Sequence, residues 1–149
     1  MSKKEIINIA IIGLGTIGKR HVMAIEKMDG IKVCGVVDFD LEANNFCNSK
    51  KIPYFSNLKH LNDSMSVDGV IISTPTIMHF ETSCLALKLG LDVLIEKPIT
   101  ANVNEAKEIS VLAKKQNCKV LVGHQRRFYP LVLNTKAIIK EGKIGQVIG

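Results

Sequence analysis

Residues 7–21, INIAIIGLGTIGKRH, decide the fold. The apolar run Ile6 to Ile12 has the length of a buried strand. It is broken by Gly13-Leu14-Gly15-Thr16-Ile17-Gly18, a G-x-G-x-x-G turn. Beyond the turn, apolar residues recur at Ile17, Ala24, Ile25 and Met28, which is helical spacing. Strand, glycine turn and helix form the context in which this motif carries a mechanism. Gly13 permits the tight turn, Gly15 lets the backbone approach a pyrophosphate, and Gly18 lets the helix pack closely on the strand. The helix N-terminus then offers free N–H groups and a partial positive charge to phosphates.

Asp38 closes a second apolar run, Ile31 to Val37. At a strand tip its carboxylate can accept hydrogen bonds from the adenosine ribose hydroxyls and would repel a 2′-phosphate, so NAD is favoured over NADP. Glycine turns are common, and a purely structural turn in another α/β domain is the bland alternative. The strand–helix context and the placement of Asp38 weigh against it.

The same alternation continues along the chain. Strands are expected at 6–12, 32–38, 69–73, 92–96 and 119–123, with a short one at 53–55. Helices are expected at 16–28, 41–49, 77–89, 103–116 and 130–141, with a weaker one at 57–63. Runs such as VIIS and VLIE are apolar almost throughout, as in parallel strands covered on both faces. Alternating strands and helices of this kind give an α/β, doubly wound parallel sheet. Asn102-Val103-Asn104-Glu105 reads as a capping box, and Gly30 and Gly90 fall where helices should stop. After the last helix, Glu141 to Gly145 turns and Gln146 to Gly149 reads as the start of another strand, which needs a sheet to join.

Composition narrows the function classes. The 149 residues suit one domain, and 46% hydrophobic residues can fill a core. No apolar run approaches the ~20 residues of a membrane helix. The polar start Met1-Ser2-Lys3-Lys4-Glu5 lacks the features of a signal peptide, so a cytoplasmic protein is expected. The net charge of +6 comes from scattered lysines and only three arginines, Arg20, Arg126 and Arg127. Without a basic stripe interleaved with aromatics, this suggests attraction for an anionic small molecule rather than nucleic acid. Cys34, Cys47, Cys84 and Cys118 show no metal-ligand spacing and are expected as free thiols; no metal site is expected.

Three further segments sit where strands end, the edge at which open α/β sheets bind ligands. They are Ser73-Thr74-Pro75-Thr76-Ile77-Met78-His79, Glu96-Lys97-Pro98, and Gly123 to Pro130 (GHQRRFYP). With GLGTIGKRH and VVD, the ordered set STPTIMH, EKPI and GHQRRFYP resembles the N-terminal half of the glucose–fructose oxidoreductase / inositol dehydrogenase (Gfo/Idh/MocA) family over essentially the whole chain. EKP is the most discriminating part.

That resemblance implies a Rossmann fold for residues 1–125, with residues 126–149 forming a helix and the start of a second, truncated substrate domain that is otherwise missing. It implies hydride transfer between a sugar, cyclitol or related polyol and a nicotinamide cofactor, in a protein that is a homo-oligomer when full length. Carried over by motif, Gly13, Gly15, Thr16, Ile17 and Gly18 would hold the pyrophosphate and Asp38 the adenosine ribose. Thr74, Pro75 and His79 would line the groove, with Glu96 and Lys97 near the nicotinamide ribose and Gln125 and Arg127 at the substrate mouth. Lys97 would also be the catalytic residue: a partly buried lysine next to the cofactor can take a proton from an alcohol and stabilise the alkoxide if its pKa is lowered. His79 could equally be a structural helix-start histidine; His21 and His124 are expected to be structural. The D-x-x-x-H pattern of the family's second domain does not follow Pro130, so these residues alone are not expected to complete catalysis. The competing reading is a stand-alone NAD(H)-binding regulatory or redox-sensing module. Retention of Lys97 favours the enzyme, since a sensor needs no proton acceptor.

Overall fold

The computed structural model describes residues 6–148. Among the described residues there are six strands: β1 (Ile7–Ile12), β2 (Ile31–Val37), β3 (Tyr54–Phe55), β4 (Gly69–Ile72), β5 (Asp92–Ile95) and β6 (Val120–Val122). Six helices alternate with them: α1 (Thr16–Ile25), α2 (Leu41–Lys50), α3 (Leu58–Ser64), α4 (His79–Lys88), α5 (Val103–Gln116) and α6 (Pro130–Lys140). All strand pairs are parallel, in the order β3-β2-β1-β4-β5-β6. The doubly wound sheet expected from the sequence is the one observed.

The two-residue period of the strands divides the core between two faces. Ala10, Ile12, Val70, Ile72, Val93 and Ile95 pack with residues of α3, α4 and α5, including Leu61, Leu87 and Ile109. Ile11, Val36 and Ile71 point the other way and pack with Val22 and Ile25 of α1 and Ala43 and Cys47 of α2. Burial pushes the thiols of Cys34, Cys47, Cys84 and Cys118 above their ordinary value, and all four are free.

The helix boundaries follow local chemistry. Asp40, Asn57 and Asn102 cap α2, α3 and α5 through their side chains. Asn102 accepts from Glu105 N at 3.0 Å, while Glu105 reaches back to Ala101 N at 3.3 Å. Gly30 and Gly90 adopt left-handed φ values of 79° and 78°. Helix α1 ends at Ile25 rather than near Met28, because Lys27 N and Met28 N bond three residues back, to Ala24 O and Ile25 O.

The end of the described chain departs from expectation. Residues 146–148 are irregular rather than a strand; Gly149 lies outside the described residues. No strand is paired there, and an extended segment without a neighbour has no ladder to join. Helix α6 buries none of its residues, although Leu131, Leu133, Ile138 and Ile139 are apolar. Among the described residues no helix is long and apolar enough to cross a membrane.

The strand order places the candidate site. Leaving β1 the chain builds outward to β2 and β3, and β4 then returns to the other side of β1. Adjacent loops after β1 and β4 therefore diverge to opposite faces, opening a crevice at their C-terminal ends.

Candidate functional site

The glycine turn occupies that crevice. Gly13 has φ of 88°, and a Cβ there would lie 2.7 Å from Thr74 N. Gly18 packs against the carbonyl of Gly13, so a Cβ there would collide with backbone. Ser73 Oγ donates to Gly13 O at 2.7 Å, joining the two loops. Gly15 differs: a Cβ would meet nothing within 4 Å. Its hydrogen faces open space, the position from which a ligand could approach the main chain. Gly15 is also the N-cap of α1, and no side chain caps that helix. Helices α2, α3 and α5 carry side-chain caps; α1, like α4 and α6, carries none, so its first N–H groups are open to an external acceptor.

At one end of the crevice, a cleft of about 540 Å³ is lined by Gly13, Gly15, Asp38, Phe39, Thr74, Met78 and their neighbours. Asp38 is fixed by backbone donors: Oδ2 accepts from Leu14 N, and Oδ1 from Phe39 N at 2.6 Å and Asp40 N at 3.0 Å. Tyr54 Oη donates to the Asp38 carbonyl at 2.6 Å. Burial first, then the nearby Asp38, Cys47 and Asp40, raises the Tyr54 phenol above its ordinary value. Among the described residues, the charged ones lining this cleft are Asp38 and Glu81, with no lysine or arginine. Phe39 stands 77% exposed at its rim.

At the other end, a cleft of about 660 Å³ is lined by Ile17, Thr76, His79, Glu96, Lys97, Gln125, Arg126 and Arg127, among others. Ser73, Thr74 and Pro75 line both clefts, making them one continuous groove. Thr74 Oγ1 is buried there and has no hydrogen-bond partner. A buried hydroxyl without a partner is costly, and a polar group entering the groove would satisfy it.

The Glu96-Lys97-Pro98 segment is held on both sides. Glu96 Oε1 lies 2.9 Å from His21 Nε2 of α1. Gly123 leaves the space its carboxylate fills, since a Cβ there would come within 3.1 Å of it. His79, 1% exposed, places Nδ1 2.9 Å from Pro98 O and Nε2 2.9 Å from Thr74 O. Lys97 lies between these anchors.

Of the residues singled out in the sequence, the structure gathers all but Thr16 and Gly18 along the lining of one groove, with two differences. His79 is a core residue whose two ring nitrogens both face backbone carbonyls, leaving neither free for a ligand. Lys97 is exposed at the groove's rim rather than partly buried, because the groove is open to solvent on that side. His21, expected to be structural, makes its contact 75 positions along the chain, with Glu96. Its sequence signal is its position, three after Gly18 and four after Ile17, which puts it on the helix face shared with the turn. His124 is exposed and lines the Lys97 end of the groove.

A parallel sheet ordered β3-β2-β1-β4-β5-β6, with an uncapped helix behind a glycine turn at its switch point, defines a dinucleotide-binding α/β domain. The Gfo/Idh/MocA family model, described as an oxidoreductase family with an NAD-binding Rossmann fold, matches residues 7–124, and the chain belongs to that family. The uncharacterized oxidoreductase YrbE of Bacillus subtilis is 29% identical over 144 residues, 95% of this chain and 42% of YrbE. The structure of myo-inositol 2-dehydrogenase from Lactobacillus plantarum superposes with a TM-score of 0.90 at 29% identity, covering 97% of this chain and 44% of that one. Scyllo-inositol dehydrogenase from Lactobacillus casei, solved with NAD(H) and scyllo-inositol bound, gives a TM-score of 0.89 at 25% identity, covering 95% and 43%. The chain therefore spans less than half the length of these relatives and corresponds to their NAD-binding domain.

Proposed function

We propose that residues 7–125 hold NAD in preference to NADP, for a dehydrogenase acting on a cyclitol, sugar or related polyol, and that residues 126–149 lead into its substrate domain. The carrying observation is the groove itself. An uncapped helix N-terminus and the open face of Gly15 lie between a fixed carboxylate and a cluster of cations. The pyrophosphate fits over Gly13, Gly15, Thr16, Ile17 and Gly18. Asp38 takes the adenosine ribose, and a cleft whose described lining carries Asp38 and Glu81 but no lysine or arginine disfavours a 2′-phosphate. Thr74 and Pro75 line the middle, and His79 supports it from beneath.

When bound, the cofactor supplies or accepts a hydride at the nicotinamide ring. The chain's residues provide the rest. Glu96 faces the nicotinamide ribose. In its neutral amine form Lys97 would accept the hydroxyl proton of the substrate alcohol, and the ammonium so formed would stabilise the charge left on the oxygen. Gln125 and Arg127 flank the substrate mouth. The inositol substrates in the names of the similar structures support a polyol class for this protein.

Calorimetric titration with NADH and NADPH in parallel tests the reading. Binding of NADH, with NADPH much weaker and the difference narrowing in Asp38→Ala, is the expected result. Equal binding of both cofactors by the wild-type chain would overturn the NAD preference, and binding of neither would overturn the assignment of the groove.

A further inference from the structure

We infer that His21 is a positioning residue for the nicotinamide end of the groove: it fixes the Glu96 carboxylate and so ties the phosphate-binding helix to the segment carrying Lys97. This rests on the reading of the groove as a dinucleotide site.

The geometry is specific. His21 leaves α1 one turn beyond Gly18, and its Nε2 lies 2.9 Å from Glu96 Oε1. Both side chains are largely shielded, at 24% and 14% exposure, so solvent screens this contact less than a surface pair. The second carboxylate oxygen, Oε2, accepts from Lys97 N at 3.3 Å. The carboxylate therefore bridges the His21 ring and the main chain of the residue assigned to proton transfer. Gly123, at the end of β6, leaves the room it needs, so three separate elements converge on one carboxylate.

The far side of the segment is flanked by His79, whose buried ring places one nitrogen 2.9 Å from Pro98 O and the other 2.9 Å from Thr74 O. Without His21, Glu96 would keep its bond to Lys97 N but lose the contact that aims its other oxygen. His21 is not among the described residues that line the cleft at the Asp38 end. The effect should therefore be confined to one half of the cofactor.

The experiment compares ADP, which reaches only the adenine and phosphate positions, with NADH, which spans the groove. Affinities for both are measured on the wild-type chain, His21→Ala and His21→Gln, together with the fluorescence of bound reduced nicotinamide. In His21→Ala, NADH should weaken roughly tenfold, the scale of one hydrogen bond to a charged group, while ADP stays within about twofold. His21→Gln places an amide N–H near the position of Nε2 and should restore NADH affinity and the nicotinamide emission. Equal weakening of ADP and NADH in His21→Ala would show a general effect on α1 and overturn the inference. So would unchanged NADH binding, no rescue by glutamine, or NADH binding no tighter than ADP in the wild type. Failure of the wild-type chain to bind ADP at all would instead remove the dinucleotide reading beneath it.

Discussion

At the Asp38 end of the groove, ligand-facing groups are set by main chain: one carboxylate held by three backbone N–H groups, and a glycine turn locked to the loop after β4. At the Lys97 end they are side chains on the loops after β4, β5 and β6, held by contacts between distant residues. The first construction is local and rigid and suits a moiety common to many reactions. The second gathers lysine, arginine, glutamine and glutamate on separate loops, so it can be varied without disturbing the first. This division lets one scaffold keep a cofactor and change its chemistry.

Gly15→Ala should break the comparison most strongly. The new Cβ enters open space, so folding is preserved, yet it stands where a pyrophosphate would approach. NADH and ADP should both weaken about a hundredfold, reflecting the loss of charge-assisted bonds at the helix start, with little change in Tm. Calorimetry and thermal melts read the two effects separately.

Asp38→Ala should cost about tenfold in NADH affinity, and ADP should weaken alongside it, since both carry the adenosine ribose. The ratio of NADH to NADPH affinity should fall.

Lys97→Ala sharpens the contrast from the other end. Lys97 is exposed and its proposed partner is the substrate, so ADP should be unaffected and NADH should change by no more than about threefold. Loss of ADP binding in this variant would show that the two ends are not separable.

Tyr54→Phe removes the hydrogen bond to the Asp38 carbonyl and should lower stability by about 1 kcal/mol, read by denaturant titration, with a smaller effect on NADH. The same tyrosine gives a pH dependence. Its phenol is raised in the fold, so the neutral form is the one the fold favours. Its contribution is intact below the ordinary value of 10.0 and is lost as pH rises through that value toward the folded one. Tyr54→Phe should flatten the alkaline decline of a stability–pH curve.

The Asp38 end was readable in the sequence because its information is local. Gly13 to Gly18 and Asp38 lie within one strand–helix–strand unit, and their spacing states their relation. The strands were legible for a similar reason, since apolar runs between glycine and proline breaks leave little freedom in element type. The Lys97 end was legible only as separate segments at strand ends. That His21 meets Glu96, and that His79 bridges Thr74 and Pro98, depends on the sheet order bringing distant loops together. The strand expected at 146–149 shows the converse: extended-looking composition cannot supply a pairing partner.

The order of strands along the chain also sets a timetable for synthesis. Every residue lining the Asp38 cleft falls between Ile12 and Leu85, whereas the Lys97 cleft needs residues as late as Arg127. A polypeptide made N-terminus first therefore contains every residue of the Asp38 cleft before Glu96 has been added. The Lys97 end is completed last, on a frame whose Asp38 end has already been made.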